Sequence, residues 1–170
     1  MKHLKALLAM GILLAGLNAK TFGQVILPDV TVVSLNYKYI KSIHDQNSAQ
    51  PVKLLQSRAA SYNLKDSDLY EEDYDGFFVS FYIPDGEILA SYDKDGKLIS
   101  TAEKFKNVSL PPLVRKAVSD RYPGWRIAKD IYLVNYFADT RESSKIYKIV
   151  LENGDKRIRT KTNEQGEFLK

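Results

Sequence analysis

Four turns built on glycine punctuate this 170-residue chain: Asp85-Gly86, Asp95-Gly96, Asn153-Gly154 and Gln165-Gly166. Between them lie short segments in which apolar residues recur at every second position. Asp-Gly and Asn-Gly favour tight hairpins because glycine accepts positive φ without steric cost. Period-two alternation places all apolar side chains of a strand on one face. After Gly76, residues Phe77, Val79, Phe81 and Ile83 face one way, and Phe78, Ser80 and Tyr82 the other. A return strand is expected over 87–92 and a short further strand over 97–100. Later, 125–137 reads as long and extended. Residues 146–151 alternate with Tyr147, Ile149 and Leu151 on one face, 156–162 reads as a strand, and 167–169 as a last edge. A chain punctuated this way forms antiparallel meanders rather than parallel strands joined by helical crossovers.

Two segments carry helical spacing instead. Pro51 opens a run to Tyr62 in which Val52, Leu55, Ala59 and Tyr62 share a stripe. Leu110-Pro111-Pro112 opens another, to about Arg121, with Val114, Ala117 and Val118 inward, and Tyr122-Pro123-Gly124 ends it. Residues 25–40, rich in β-branched and aromatic side chains, are expected to be extended, followed by a polar connector over 44–50. The halves overlay: Val79, Phe81, Ile83 and Asp85-Gly86 on Tyr147, Ile149, Leu151 and Asn153-Gly154, an offset of 68, and Pro51 and Tyr62 on Pro111 and Tyr122. The expected class is therefore α+β, a tandem repeat of a helix packed on a four-stranded antiparallel sheet, with repeats over 24–106 and 107–170.

The amino terminus carries a separate message. Met1 to Lys5 is short and basic, residues 6–17 are uncharged and mostly apolar, and 18–24 turn polar and small. Those are the three regions of a cleavable export signal. Twelve helical residues reach about 18 Å, short of a hydrocarbon core of about 30 Å. Signal residues 1–23 would leave Gln24 first, with cleavage after Ala19 as the competitor. The mature chain is expected to be periplasmic or secreted, without a membrane span and without a lipidated cysteine. Removing Lys2, Lys5 and Lys20 leaves 22 basic and 21 acidic residues, so the basic character of the full chain carries no nucleic-acid footprint. Residues 24–106 hold 9 basic and 13 acidic residues, and 107–170 hold 13 and 8, which gives two halves of opposite sign.

The pattern resembles a known family. Leu110-Pro111, Tyr122-Pro123, Tyr147-Lys148-Ile149-Val150-Leu151, Asn153-Gly154 and Gln165-Gly166-Glu167-Phe168-Leu169 resemble the PepSY-like, β-lactamase-inhibitor-like proteins exported by Bacteroidetes-type bacteria. The match runs over about residues 80–170, and over 25–79 through the repeat. The resemblance implies tandem helix-on-sheet units and a sheet surface that grips a protein. It brings no catalytic motif. The chain departs from the disulfide-bearing inhibitor that gives the family its label, having no cysteine.

Residue chemistry narrows the function further. Without cysteine there is no thiol nucleophile, and after signal removal His44 is the one histidine, in a polar connector. Zinc sites with two or more cysteine or histidine ligands are excluded. The glycines sit singly in turns, so no phosphate-cradling loop is present. Asp66 to Asp75 carries six acids, and Asp93-Lys94-Asp95-Gly96 opens like a calcium loop. The twelfth position from Asp93 is Lys104, where such a loop needs a bidentate glutamate. The acidic run reads as a solvated loop and strand, Asp93 to Gly96 as a hairpin turn, and Asn107-Val108-Ser109 as a chance glycosylation pattern. No catalytic, cofactor or metal residues are assigned. What remains is surface: eleven tyrosines and one tryptophan, a strand presenting Phe78 and Tyr82, and another presenting Arg157, Arg159 and Lys161 opposite Ile158 and Thr160. Aromatic residues and arginine on an exposed sheet face are what protein interfaces enrich. The expected function is a non-catalytic module that binds a protein or peptide of the cell envelope, in the manner of an inhibitor. A small-ligand carrier and a carboxylate-dependent hydrolase are the alternatives. A carrier should show an apolar pocket, and a hydrolase two acids converging in a cleft.

Overall fold

The computed structural model describes residues 35–140 and 142–170. The export signal and most of the segment expected to be extended, 25–34, lie outside the described residues.

Six strands form one antiparallel sheet in sequence order. The elements are α1 (Tyr37–Ile43), α2 (Gln50–Ser61), β1 (Gly76–Ile83), β2 (Gly86–Asp93), β3 (Leu98–Lys106), α3 (Pro112–Arg121), β4 (Arg126–Phe137), β5 (Glu142–Asn153) and β6 (Lys156–Asn163). The expected antiparallel α+β architecture is present. Two separate four-stranded sheets are not. Each half contributes three strands to one continuous sheet, because β3 runs past residue 100 to Lys106 and pairs along its length with β4. The join between the expected repeats, 24–106 and 107–170, thus falls within a bonded sheet. The edge expected at 167–169 is reduced to a single bridge, Thr162 to Phe168.

One face of the sheet is the core. Phe77, Val79 and Phe81 of β1, Ile88, Ala90 and Tyr92 of β2, and Phe105 of β3 are buried on it, as are Tyr132, Val134 and Tyr136 of β4 and Tyr147, Ile149 and Leu151 of β5. The register keeps them in rows: Phe81 faces Ile88, Phe105 faces Tyr132, and Tyr132 faces Tyr147. The last two rings stack at 4.4 Å between centroids. Helix α2 covers β1 and β2, with Val52, Leu55 and Ala59 buried, and Tyr62 beyond its end meets Phe81 edge-on at 5.3 Å. Proline at its first turn removes an amide that would lack a partner there.

Residues 37–43 are helical, which corrects the extended reading of 25–40 at its described end. The alternation of Tyr37 and Tyr39 suggested a strand. The burial that decides the matter is Tyr39 with Ile43, an i, i+4 pair. Tyr39 packs edge-on against Tyr136 at 5.3 Å. Tertiary packing overrides a local β preference here.

The hairpins of the two halves correspond at an offset of 70 rather than 68. Ile83 pairs with Gly86, and Asn153 with Lys156. In the turn after β2, Asp93 Oδ1 accepts from the amides of Asp95 and Lys97. In the turn after β6, Asn163 Oδ1 accepts from Gln165 and Glu167 in the same way. Gly96 and Gly166 hold the positive φ of each turn, at 72° and 85°. The two-residue shift in the first hairpin has a local cause. Gly86 is already a strand residue, and the turn is Pro84-Asp85. A Cβ on Gly86 would come within 2.6 Å of Phe105 and 2.7 Å of Ile83, so glycine there serves close packing.

Helix α3 seats on the far end of the same face. Val114 and Val118 are buried. The Leu113 carbonyl lies 2.9 Å from where a Cβ of Gly166 would be. Tyr122 meets Phe168 edge-on at 5.9 Å, and the Arg121 guanidinium sits 4.3 Å over the Phe168 ring. The passage from β3 to α3 is pinned by Asp130. Its carbonyl accepts from the Asn107 amide and its carboxylate from the Val108 amide.

Candidate functional site

All three helices lie on the core side, so the other face of the sheet is left open among the described residues. Alternation decides which side chains reach it. Phe78 is 76% exposed and Tyr82 62% exposed, and Leu89 and Phe137 are also exposed. By register Phe78 sits beside Ser91, Ser80 beside Leu89, and Tyr82 beside Glu87. The Ser91 and Ser100 hydroxyls bond to each other at 2.8 Å, which leaves Phe78 beside a short polar step.

The three basic candidates lie on the same face at the opposite edge. Arg157, Arg159 and Lys161 are exposed on β6, the strand farthest from β1. Five inter-strand spacings of about 4.8 Å separate the two groups by roughly 24 Å. One surface therefore carries both, but they do not converge on one spot.

The basic group is larger than these three. Across the outer face, Lys129, Val150 and Arg159 stand in one row. Lys106, Ile131, Lys148 and Lys161 stand in the next. In a third row Arg126 and Arg157 both bond Glu152, the Arg157 Nε donating at 2.8 Å. The Arg157 hydrogen bond, with the charges of Arg157 and Arg126, holds the Glu152 carboxyl below its ordinary range. Arg157 is thus engaged within the sheet, whereas Arg159 and Lys161 make no salt bridge among the described residues.

A cleft of about 800 Å³ lies against this half of the molecule. Its lining draws on both sides of the sheet: Lys106, Lys129, Lys148, Arg159, Lys161, Ile131 and Val150 of the open face, Arg121, Tyr122 and Ile149 of the core side, and the tail residues Phe168 and Leu169. Asp130 is its one acidic side chain, raised by burial against the Val108 hydrogen bond that pulls the other way. The arrangement offers positive charge around an apolar floor. It does not offer two carboxylates in a cleft, and among the described residues no cluster of three metal-ligating side chains occurs. Lys106, Lys129 and Lys148 were missed from sequence because each is unremarkable alone. The signal available was their shared phase with Ile131 and Val150.

The core face holds one ionisable group that sequence also missed. Glu103, 3% exposed, accepts from Tyr39 Oη at 2.7 Å, Gln56 Nε2 at 2.7 Å and Thr101 Oγ1 at 3.0 Å. Burial pushes its carboxyl above the ordinary range, although the three hydrogen bonds and the charge of Lys145 pull it down. Lys145 itself pairs with Glu164 at 2.8 Å. Glu103 thereby ties α1 and α2 to the sheet. His44 caps α1 through its backbone amide and sits outside the cleft.

The fold defines a class, three helices on one face of an open antiparallel sheet. No family model matches the chain, and no curated protein does. Solved structures similar to it include two from Bacteroides. A DUF2874 family protein from Bacteroides ovatus shares 18% identity over 59% of this chain and 70% of that one, with a TM-score of 0.34. A BLIP-like protein from Bacteroides fragilis shares 17% over 59% and 69%, with a TM-score of 0.33. Similarity this low leaves any functional reading to rest on the chain's own geometry. No described helix is long and apolar enough to cross a membrane.

Proposed function

We propose that the chain is an exported, non-catalytic module that binds a protein or peptide of the cell envelope through the open face of its sheet, in the manner of an inhibitor. One observation carries this reading. Phe78 and Tyr82 stand exposed on a sheet face that no described element covers, with Leu89 between their rows and a basic field beyond. Aromatic side chains held on a rigid sheet offer contact area at small entropic cost, and such residues dominate binding energy at interfaces.

Site-specific photocrosslinking tests it. With Tyr82→benzoylphenylalanine, a discrete protein or peptide adduct is expected, and Phe78→Ala should abolish it. Lys116→benzoylphenylalanine, on exposed α3, is the control and should give none. Equal labelling from both positions would overturn the assignment of the face.

A further inference from the structure

Resting on that reading of the open face, we propose that the basic rows at its β4–β6 end take an extended acidic segment of the partner, one in which carboxylates alternate with apolar side chains. Lys106, Lys129, Lys148, Arg159 and Lys161 stand in adjacent rows of that face, all five line the cleft, and its one acidic side chain is Asp130. Among the described residues none of the five makes a salt bridge. Elsewhere on this face, where a carboxylate is available, Arg126 and Arg157 close on Glu152. The cleft cations have no such partner, so their charge is free to meet an incoming anion.

The lining argues for a peptide rather than a bare anion or a surface. Each register row mixes bases with one aliphatic side chain: Lys129, Val150 and Arg159 in one, Lys106, Ile131, Lys148 and Lys161 in the other. Along a strand, side chains on one face recur at about 6.6 Å, and an extended peptide presents its own alternate side chains at the same spacing. Carboxylates of such a peptide would meet the bases while its apolar residues rest on Ile131, Val150 and Leu169. A flat lipid surface would meet the lysine tips and leave that floor unused.

The test measures binding of a fluorescein-labelled peptide in which glutamate alternates with leucine or phenylalanine. Fluorescence anisotropy would follow the whole mature protein as it is added. Binding should weaken at least tenfold between low and high salt. It should fall at least tenfold in Lys148→Glu and in Arg159→Glu, whose melting curves should match the wild type because both side chains are exposed. Polyglutamate, phosphatidylglycerol vesicles and a single-stranded oligonucleotide are run beside it. Saturable binding of the alternating peptide, weaker binding of polyglutamate and loss in both charge-reversed variants support the assignment. Equal binding of polyglutamate, or binding of vesicles or oligonucleotide in place of the peptide, overturns it. So does peptide binding that ignores both substitutions. If the Tyr82 crosslink forms but the peptide does not bind, the acidic assignment fails and the binding face stands. Absence of the crosslink with the peptide bound removes the wider reading and leaves the cleft.

Discussion

Removing the carboxyl of Glu103 should loosen both amino-terminal helices from the sheet. In Glu103→Ala, Tyr39 Oη, Gln56 Nε2 and Thr101 Oγ1 lose their common acceptor. A buried donor left unpaired costs about 1–3 kcal/mol. Three of them outweigh whatever is gained by withdrawing a carboxyl from the core. The net loss is expected to be about 2–5 kcal/mol. Glu103→Gln keeps an acceptor oxygen and should cost less. The pH dependence separates charge from packing. Burial raises the folded carboxyl above its unfolded range, so protonation favours the folded state. That contribution is complete below the unfolded value of about 4.3 and is lost as pH rises through the folded value. The glutamine variant cannot titrate, so its stability relative to wild type should improve as pH climbs through that window. Urea unfolding of the three proteins from acid to neutral pH measures both effects. A cost below about 1 kcal/mol for the alanine variant, or parallel pH curves for wild type and glutamine, would refute the reasoning.

Phe78→Ala and Tyr82→Ala should each change stability by no more than about 0.5 kcal/mol, whereas Phe81→Ala should cost roughly 3–5 kcal/mol, read from the same urea titrations. Gly86→Ala forces a methyl against Phe105 and Ile83 and should cost about 1–3 kcal/mol by thermal or urea unfolding. Gly166→Ala meets both a φ of 85° and the Leu113 carbonyl; it should speed amide hydrogen exchange in α3 while leaving β1 and β2 protected. Arg157→Ala removes the leading cause of the low Glu152 titration, so carboxyl NMR should find that midpoint moved upward.

Local periodicity is a property of consecutive residues, and what depends on it was legible in the sequence. The alternation of Phe77 to Ile83 and of Ile146 to Leu151 determined strand identity, and its phase told that Phe78 and Tyr82 point away from Phe81. Proline and the 3.6-residue stripe marked α2 and α3 to within two residues. Register is another matter, because it couples strands far apart in the chain and is settled by packing. Glycine at 86 looked like a turn residue, and only the nearness of Phe105 makes it a strand residue, which moves the repeat from 68 to 70. Tyr39 looked extended until Ile43 and Tyr136 gave it a helical seat. Glu103 belongs to a strand whose length was underestimated, so its three donors were invisible. Lys106, Lys129 and Lys148 become neighbours of Arg159 and Lys161 only through the pairing of β3 with β4, β4 with β5, and β5 with β6. Sequence told which way a side chain points along its own strand, and tertiary structure alone decided which other side chains it meets, since cross-strand alignment minimises voids over the whole sheet rather than within any one segment.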